Sequence, residues 1–201
     1  MPGADFDGNW AHICVDMQRV FAEDTDWHAR WLDRVLPVVS EIAGRSASRT
    51  IFTRFLPPAS LDEASGAWRL YYQHWRNMLG ERIDPALLDL VPPLARLVPP
   101  AKVLDKQSYS PWWSGELHRA LRRTEVDTLV ITGGESDVCV LATLLGAIDL
   151  GYRVVVPSDA IFGSADQTHD AILDIYRSRF QFQLTITNAA DLLERWRERG
   201  L

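Results

Sequence analysis

Cysteine is scarce in this chain: Cys14 and Cys139 are the only two among 201 residues. Two thiols cannot make a framework of bridges, which excludes a disulfide-stapled secreted domain, and no Cys/His set has zinc-finger spacing. Positive charge is also in deficit. There are 21 Lys and Arg against 27 Asp and Glu, a net charge of −6. Together with the dispersal of the basic residues, this argues against a protein built to grip nucleic acid or an anionic membrane. No apolar run approaches the roughly 18 residues of a membrane-spanning helix. The first residues, Met1-Pro2-Gly3-Ala4-Asp5-Phe6-Asp7, lack the basic and apolar regions of a signal peptide, so the expected home is a reducing cytoplasm. Internal repeats, low-complexity blocks and linkers are missing as well.

What is present is a composition that can bury a large core, with 47% hydrophobic and 24% charged residues. The length fits one domain over 1–201, since globular domains run to roughly 150 residues. Short apolar runs alternate with helical spacing. Residues 11–15, 50–53, 102–105, 128–132, 153–156 and 182–187 read as strands. Between them, residues 28–44, 113–123, 137–150 and 166–179 read as helices, followed by a last helix after Asn188. Pro37 is expected to kink the first helix or divide it. The helix over 137–150 is so apolar that it is expected to be buried nearly all round, with Gly151 closing it. A proline-rich and Trp/Tyr-rich stretch over 57–101 is less regular. The strand runs are continuous rather than alternating, as in strands covered on both faces, so the fold class is three-layer α/β/α with a roughly six-stranded, mostly parallel open sheet.

In such sheets ligands bind beyond the carboxyl ends of the strands. Asp16 follows the first strand, Lys106 the third, and Gly133-Gly134-Glu135-Ser136-Asp137-Val138-Cys139 follows the fourth and opens the apolar helix. A carboxylate, an amine and a thiol thus fall at one rim. Cys139 in a first helical turn has amide N–H groups nearby that favour a thiolate or hold an oxyanion, with Ser136 or Asp137 as N-cap. Asp16 is suited to act as base, and Lys106 to hold its charge and lower the thiol pKa. Taken singly, each has a plainer reading: Cys139 as a small core hydrophobe, Asp16 as a turn residue, Lys106 as a solvated surface residue. Only the coincidence of position favours chemistry.

The segments Val15-Asp16-Met17-Gln18, Asp105-Lys106-Gln107-Ser108-Tyr109-Ser110 and Thr132 through Thr143 resemble the isochorismatase-like cysteine hydrolases. That superfamily includes N-carbamoylsarcosine amidases, ureidoacrylate amidases and nicotinamidases. Gly151-Tyr152-Arg153-Val154 and Ser158-Asp159-Ala160 extend the match, in order, across residues 10–190. The resemblance implies an Asp16, Lys106, Cys139 triad and a thioester acyl-enzyme. It also implies a cis peptide at Gly134–Glu135 that turns the Glu135 N–H toward the Cys139 N–H as an oxyanion hole. Where nicotinamidases carry an Asp-x-His metal pattern, this chain has Thr53-Arg54-Phe55-Leu56-Pro57-Pro58. The implied enzyme therefore needs no catalytic metal and no cofactor. The cysteine favours hydrolysis of a C–N bond in a small amide, ureido or carbamoyl substrate. The alternatives are vinyl ether hydrolysis with Asp16 as acid, or a non-catalytic binding member of the family.

Four further residues are candidates for substrate contact. Arg54 has a fork that matches a carboxylate, although a salt bridge to a neighbouring acid suits it as well. Gln18 follows the Asp16 turn, and Tyr109 and Trp112 belong to the aromatics flanking the rim. The five histidines, His12, His28, His74, His118 and His169, are scattered and read as surface or packing residues. The aromatic surplus and the resemblance together imply a homodimer or homotetramer.

Overall fold

The computed structural model describes residues 9–198; the acidic N-terminal stretch over 1–7 lies outside them. The elements follow one another as β1 (Trp10–Val15), α1 (Arg19–Ala22), α2 (Leu32–Arg45), β2 (Thr50–Phe55), α3 (Gly66–His74), α4 (Pro92–Ala95), β3 (Lys102–Lys106), α5 (Glu116–Arg123), β4 (Thr128–Gly134), α6 (Cys139–Asp149), β5 (Arg153–Pro157), β6 (Ile161–Phe162), α7 (Asp166–Arg179), β7 (Leu184–Thr187) and α8 (Ala189–Glu198). The seven-stranded sheet has the order β3-β2-β1-β4-β5-β7, with β6 paired to the end of β4. Every pairing in it is parallel. The strand that the sequence did not reveal is β6, two residues long and too short to show any period.

The continuous apolar runs are explained by two cores on the two faces of the sheet. Successive side chains of a strand point to opposite sides, so β1 divides its residues. Trp10 and Cys14 join Phe52, Val130 and Val155 beneath α2, α4 and α8. Ala11, Ile13 and Val15 join Leu129, Ile131 and Val154 beneath α5, α6 and α7. Between the layers sits His12, fully buried, its ring nitrogens at 3.0 Å from Thr50 Oγ1 and 2.8 Å from Thr132 Oγ1. It is a satisfied core histidine, and burial pushes its pKa down to about 3.

Three expectations need correction. α2 is a single helix with Pro37 in its second turn, so of the two outcomes expected at Pro37 the division into two pieces does not occur. α6 is not covered all round: Val140, Leu144 and Ala147 are buried, but Leu145 is 37% exposed, and Leu150 at its C-cap 41%, because only one face of the helix meets the sheet. Neither Ser136 nor Asp137 caps α6, whose N-cap is Val138 without a side-chain bond. Elsewhere local signals match the observed ends. Gly151 has φ +85° after α6, and Asn188 Oδ1 accepts the Asp191 N–H at 2.8 Å at the start of α8. Among the described residues no helix is long and apolar enough to cross a membrane.

Candidate active site

β1 and β4 are neighbours in the centre of the sheet, and their ends bring Asp16 and Cys139 together. The chain leaves β1 through a turn in which Asp16 takes φ +50° and its carbonyl accepts the Gln18 N–H at 2.8 Å. Lys106 ends β3, the edge strand, with β2 in between. A long side chain is needed to cross that strand, and Lys106 passes with its Nζ 5.1 Å from the Phe55 ring centroid.

The ammonium then touches three partners. Lys106 Nζ donates to Asp16 Oδ2 at 2.7 Å, to the Ser108 carbonyl at 3.1 Å and to Cys139 Sγ at 3.5 Å. The other carboxylate oxygen, Asp16 Oδ1, accepts from Thr53 Oγ1 at 2.6 Å. The ion pair is almost entirely buried, as is the thiol. Burial alone depresses the Lys106 pKa, but the Asp16 charge and Cys139 outweigh it, and the net shift is upward. Lys106 is therefore charged.

Cys139 begins α6, where first-turn amides have no intrahelical acceptor. The approach to it demands glycine twice. A Cβ on Gly133, which has φ +97°, would lie 2.1 Å from the Val15 carbonyl oxygen, and one on Gly134 would lie 2.2 Å from Phe162 Cζ. The Gly134–Glu135 peptide is cis. The electrostatics differ from the thiolate expectation. Burial raises the Cys139 pKa well above its usual value, and Asp16 raises it further through charge and a hydrogen bond; Lys106 opposes this without prevailing. The Cys139 side chain is therefore a neutral thiol beside Asp16 and Lys106.

The other candidates are dispersed. Gln18 is buried and fully bonded: Oε1 accepts the Phe55 N–H at 2.7 Å, and Nε2 donates to the carbonyls of Phe55 at 3.2 Å and Leu88 at 2.8 Å. It fastens the Asp16 turn to the end of β2. Arg54 faces away from Thr53 and Phe55 on β2, as strand alternation requires. Its guanidinium is taken by Asp105, at 2.7 and 2.9 Å, and by Asp89 at 2.9 Å, the salt-bridge reading. Trp112 packs over Gly146 and donates from Nε1 to the Thr143 carbonyl at 2.8 Å, behind α6. Tyr109 remains at the rim, its ring 4.8 Å from Trp68 and 6.3 Å from Phe55.

Beside Lys106 opens a cavity of about 700 Å³ lined by Leu56, Trp68, Tyr72, Ser108 and Trp113 among others, a size that suits a small molecule. Burial raises the phenols of Tyr71 and Tyr109, and the nearby Cys139 and Glu135 add to it, so both stay neutral hydrogen-bonding groups near the thiol. The sequence offered no sign of Thr53, an ordinary strand threonine, as a site neighbour, and Tyr71 stood out only as one of the aromatics flanking the rim that could wall a pocket. Among the described residues no three His, Cys, Asp or Glu side chains are grouped to hold a metal ion.

Comparison with known proteins bears on the family and the fold. The family model described as Isochorismatase domain matches residues 10–191. "Isochorismatase family protein 2A" of Dictyostelium discoideum is 33% identical over 90 residues, which cover 44% of this chain and 44% of that one; the chain thus aligns with less than half the length of that relative. A cysteine hydrolase from Pseudomonas syringae pv. phaseolicola has a solved structure with TM-score 0.79 and 25% identity, covering 94% of this chain and 93% of that one. N-carbamoylsarcosine amidase from Thermoplasma acidophilum shares the fold at TM-score 0.69 and 19% identity, covering 90% and 96%. With the matched domain spanning nearly all of the described chain, this protein belongs to the isochorismatase family.

Proposed function

We propose that this protein is a cysteine hydrolase that cleaves a C–N bond of a small amide, ureido or carbamoyl substrate through a thioester acyl-enzyme. The observation that carries the reading is the Lys106 ammonium held between the Asp16 carboxylate and the Cys139 sulfur beside a small-molecule cavity. The fold shared with a carbamoylsarcosine amidase and with a cysteine hydrolase supports it.

The raised thiol pKa makes Asp16 the general base rather than a spectator. As Cys139 Sγ bonds to the substrate carbonyl carbon, its proton passes to Asp16. The resulting oxyanion is met by the N–H groups of Glu135 and Cys139. Collapse breaks the C–N bond and Asp16 returns the proton to the leaving nitrogen. Water then attacks the thioester with Asp16 again as base, releasing the acid and restoring the thiol. Lys106 balances the charge of Asp16 throughout and keeps it oriented. The three side chains supply nucleophile, base and cation, so no step calls for a metal or cofactor. Tyr109 and Tyr71 are the proposed substrate contacts, while Gln18, Arg54 and Trp112 support the walls.

The site of action is a reducing cytoplasm, where both free cysteines remain thiols. Assembly as a homodimer or homotetramer is favoured by the open apolar positions Leu145 on α6 and Leu150 at its C-cap, and light scattering reads it directly. The reaction itself is tested by a panel of small amides, ureas and carbamoyl compounds with ammonia release as readout. The wild type turns over one class and Cys139→Ser does not. Ammonia release that survives the substitution, or cleavage of vinyl ethers alone, overturns the reading.

A further inference from the structure

Ser136 is tied down more completely than a loop residue needs to be. It is fully buried and lies between the cis peptide and Cys139. Its N–H donates to the Phe162 carbonyl at 2.7 Å. Its own carbonyl accepts the Tyr176 hydroxyl at 2.7 Å, and its Oγ is 2.9 Å from His169 Nδ1. Backbone donor, backbone acceptor and side chain are thus all engaged. Two of the three partners come from α7, seven residues apart and so on one face of that helix.

The neighbouring residues are held in the same way. The Glu135 carbonyl accepts from Val138 N at 3.1 Å and Val140 N at 2.9 Å, over the first turn of α6. Gly163 leaves room for the pair: a Cβ there would lie 3.1 Å from Ser136 Oγ and 3.4 Å from His169 Cβ. Tyr176 is fully buried, and burial keeps its phenol protonated and therefore a donor. Neither His169 nor Tyr176 belongs to the triad, and the sequence pattern marked His169 only as one of five scattered histidines.

We infer that His169 and Tyr176 are positioning residues that hold Ser136, and through it the Glu135 and Cys139 amides, where an oxyanion must be received. The inference rests on the acyl-transfer reading of the site. Aligned amides are useful only for a reaction that builds negative charge on a carbonyl oxygen, and a small displacement of such donors is enough to lose much of their effect. Alkylation of the thiol builds no such charge, which separates this role from a merely structural one.

The test compares two reactions of Cys139 in the full-length protein. With p-nitrophenyl acetate the S–C bond forms, the ester C–O bond breaks, the thiol proton goes to Asp16 and p-nitrophenolate leaves. With iodoacetamide an S–CH₂ bond forms and iodide leaves, with no oxyanion. For His169→Leu and Tyr176→Phe the acylation rate is expected to fall by about 10- to 100-fold, with iodoacetamide alkylation at the wild-type rate. His169→Asn, whose amide can present a polar atom where Nδ1 stood, is expected to recover most of the acylation. His169 borders a cavity of about 440 Å³ rather than solid core, so its replacement leaves the fold intact; should it not, Tyr176→Phe removes one oxygen and serves alone. Wild-type acylation in both variants, or parallel loss of alkylation, overturns the inference. A wild type that is alkylated at Cys139 but never acylated instead overturns the acyl-transfer reading beneath it.

Discussion

Thr53 and Lys106 grip Asp16 from two sides, the hydroxyl on Oδ1 at 2.6 Å and the ammonium on Oδ2 at 2.7 Å. The carboxylate is thereby fixed in orientation. Replacing Thr53 by Val keeps the shape and leaves Oδ1 without its donor. An unsatisfied buried acceptor costs about 1–3 kcal/mol, so Thr53→Val is expected to lower the denaturant midpoint and to reduce kcat about tenfold with KM little changed. Unchanged kcat would show that Lys106 alone orients the base.

Removing Lys106 strands a buried negative charge. Lys106→Met is expected to destabilise the fold by about 3–5 kcal/mol and to abolish turnover. The double variant Asp16→Asn/Lys106→Met removes both charges, so stability should largely return while activity stays absent. Equilibrium unfolding of the single and double variants checks this, and a double variant as unstable as the single one would refute it.

The two thiols should react differently. Cys14 has no exposure and its pKa is pushed up to about 12 by burial. Cys139 keeps a small exposure and touches Lys106, which lines the cavity, so iodoacetamide should label Cys139 first, as mass spectrometry of the digested protein would show. Because the Cys139 pKa is also raised, its labelling rate should keep climbing as pH rises past the ordinary thiol range. A plateau near neutrality would mean a resting thiolate.

His12 makes stability sensitive to acid. Its pKa is about 3 in the folded protein against 6.5 for the free group. Between those values the unfolded chain binds a proton that the native chain refuses. Stability contributed by the neutral ring is thus present above the unfolded value and lost as pH falls toward the folded one, with a slope approaching about 1.4 kcal/mol per pH unit. Denaturant midpoints measured from neutrality down to about pH 4 should fall accordingly, and a His12→Gln variant should show a shallower decline.

Arg54, though it sits at the rim in sequence, should matter little to turnover. Its pairs with Asp105 and Asp89 are partly exposed, so Arg54→Gln is expected to cost at most about 1 kcal/mol of stability and to leave KM unchanged. A large rise in KM for an anionic substrate would return Arg54 to the pocket.

Local chemistry determined much of this protein in advance. Apolar runs, helical spacing and the glycines at the end of β4 and after α6 are properties of neighbours in the chain, so the layered parallel sheet and the rim positions of Asp16, Lys106 and Cys139 could be read directly. The cis peptide was legible only through resemblance. What tertiary structure alone decided depends on residues distant in the chain. Thr53 meets Asp16 because β2 lies between β3 and β1, and Arg54 faces away from Thr53 because alternation along β2 sends it to Asp105. Ser136 is not a helix cap because α7 brings His169 and Tyr176 to it. The protonation of Cys139 was decided in the same way: the helix end and Lys106 argue for a thiolate, but burial opposes them, and burial exists only after the chain has folded.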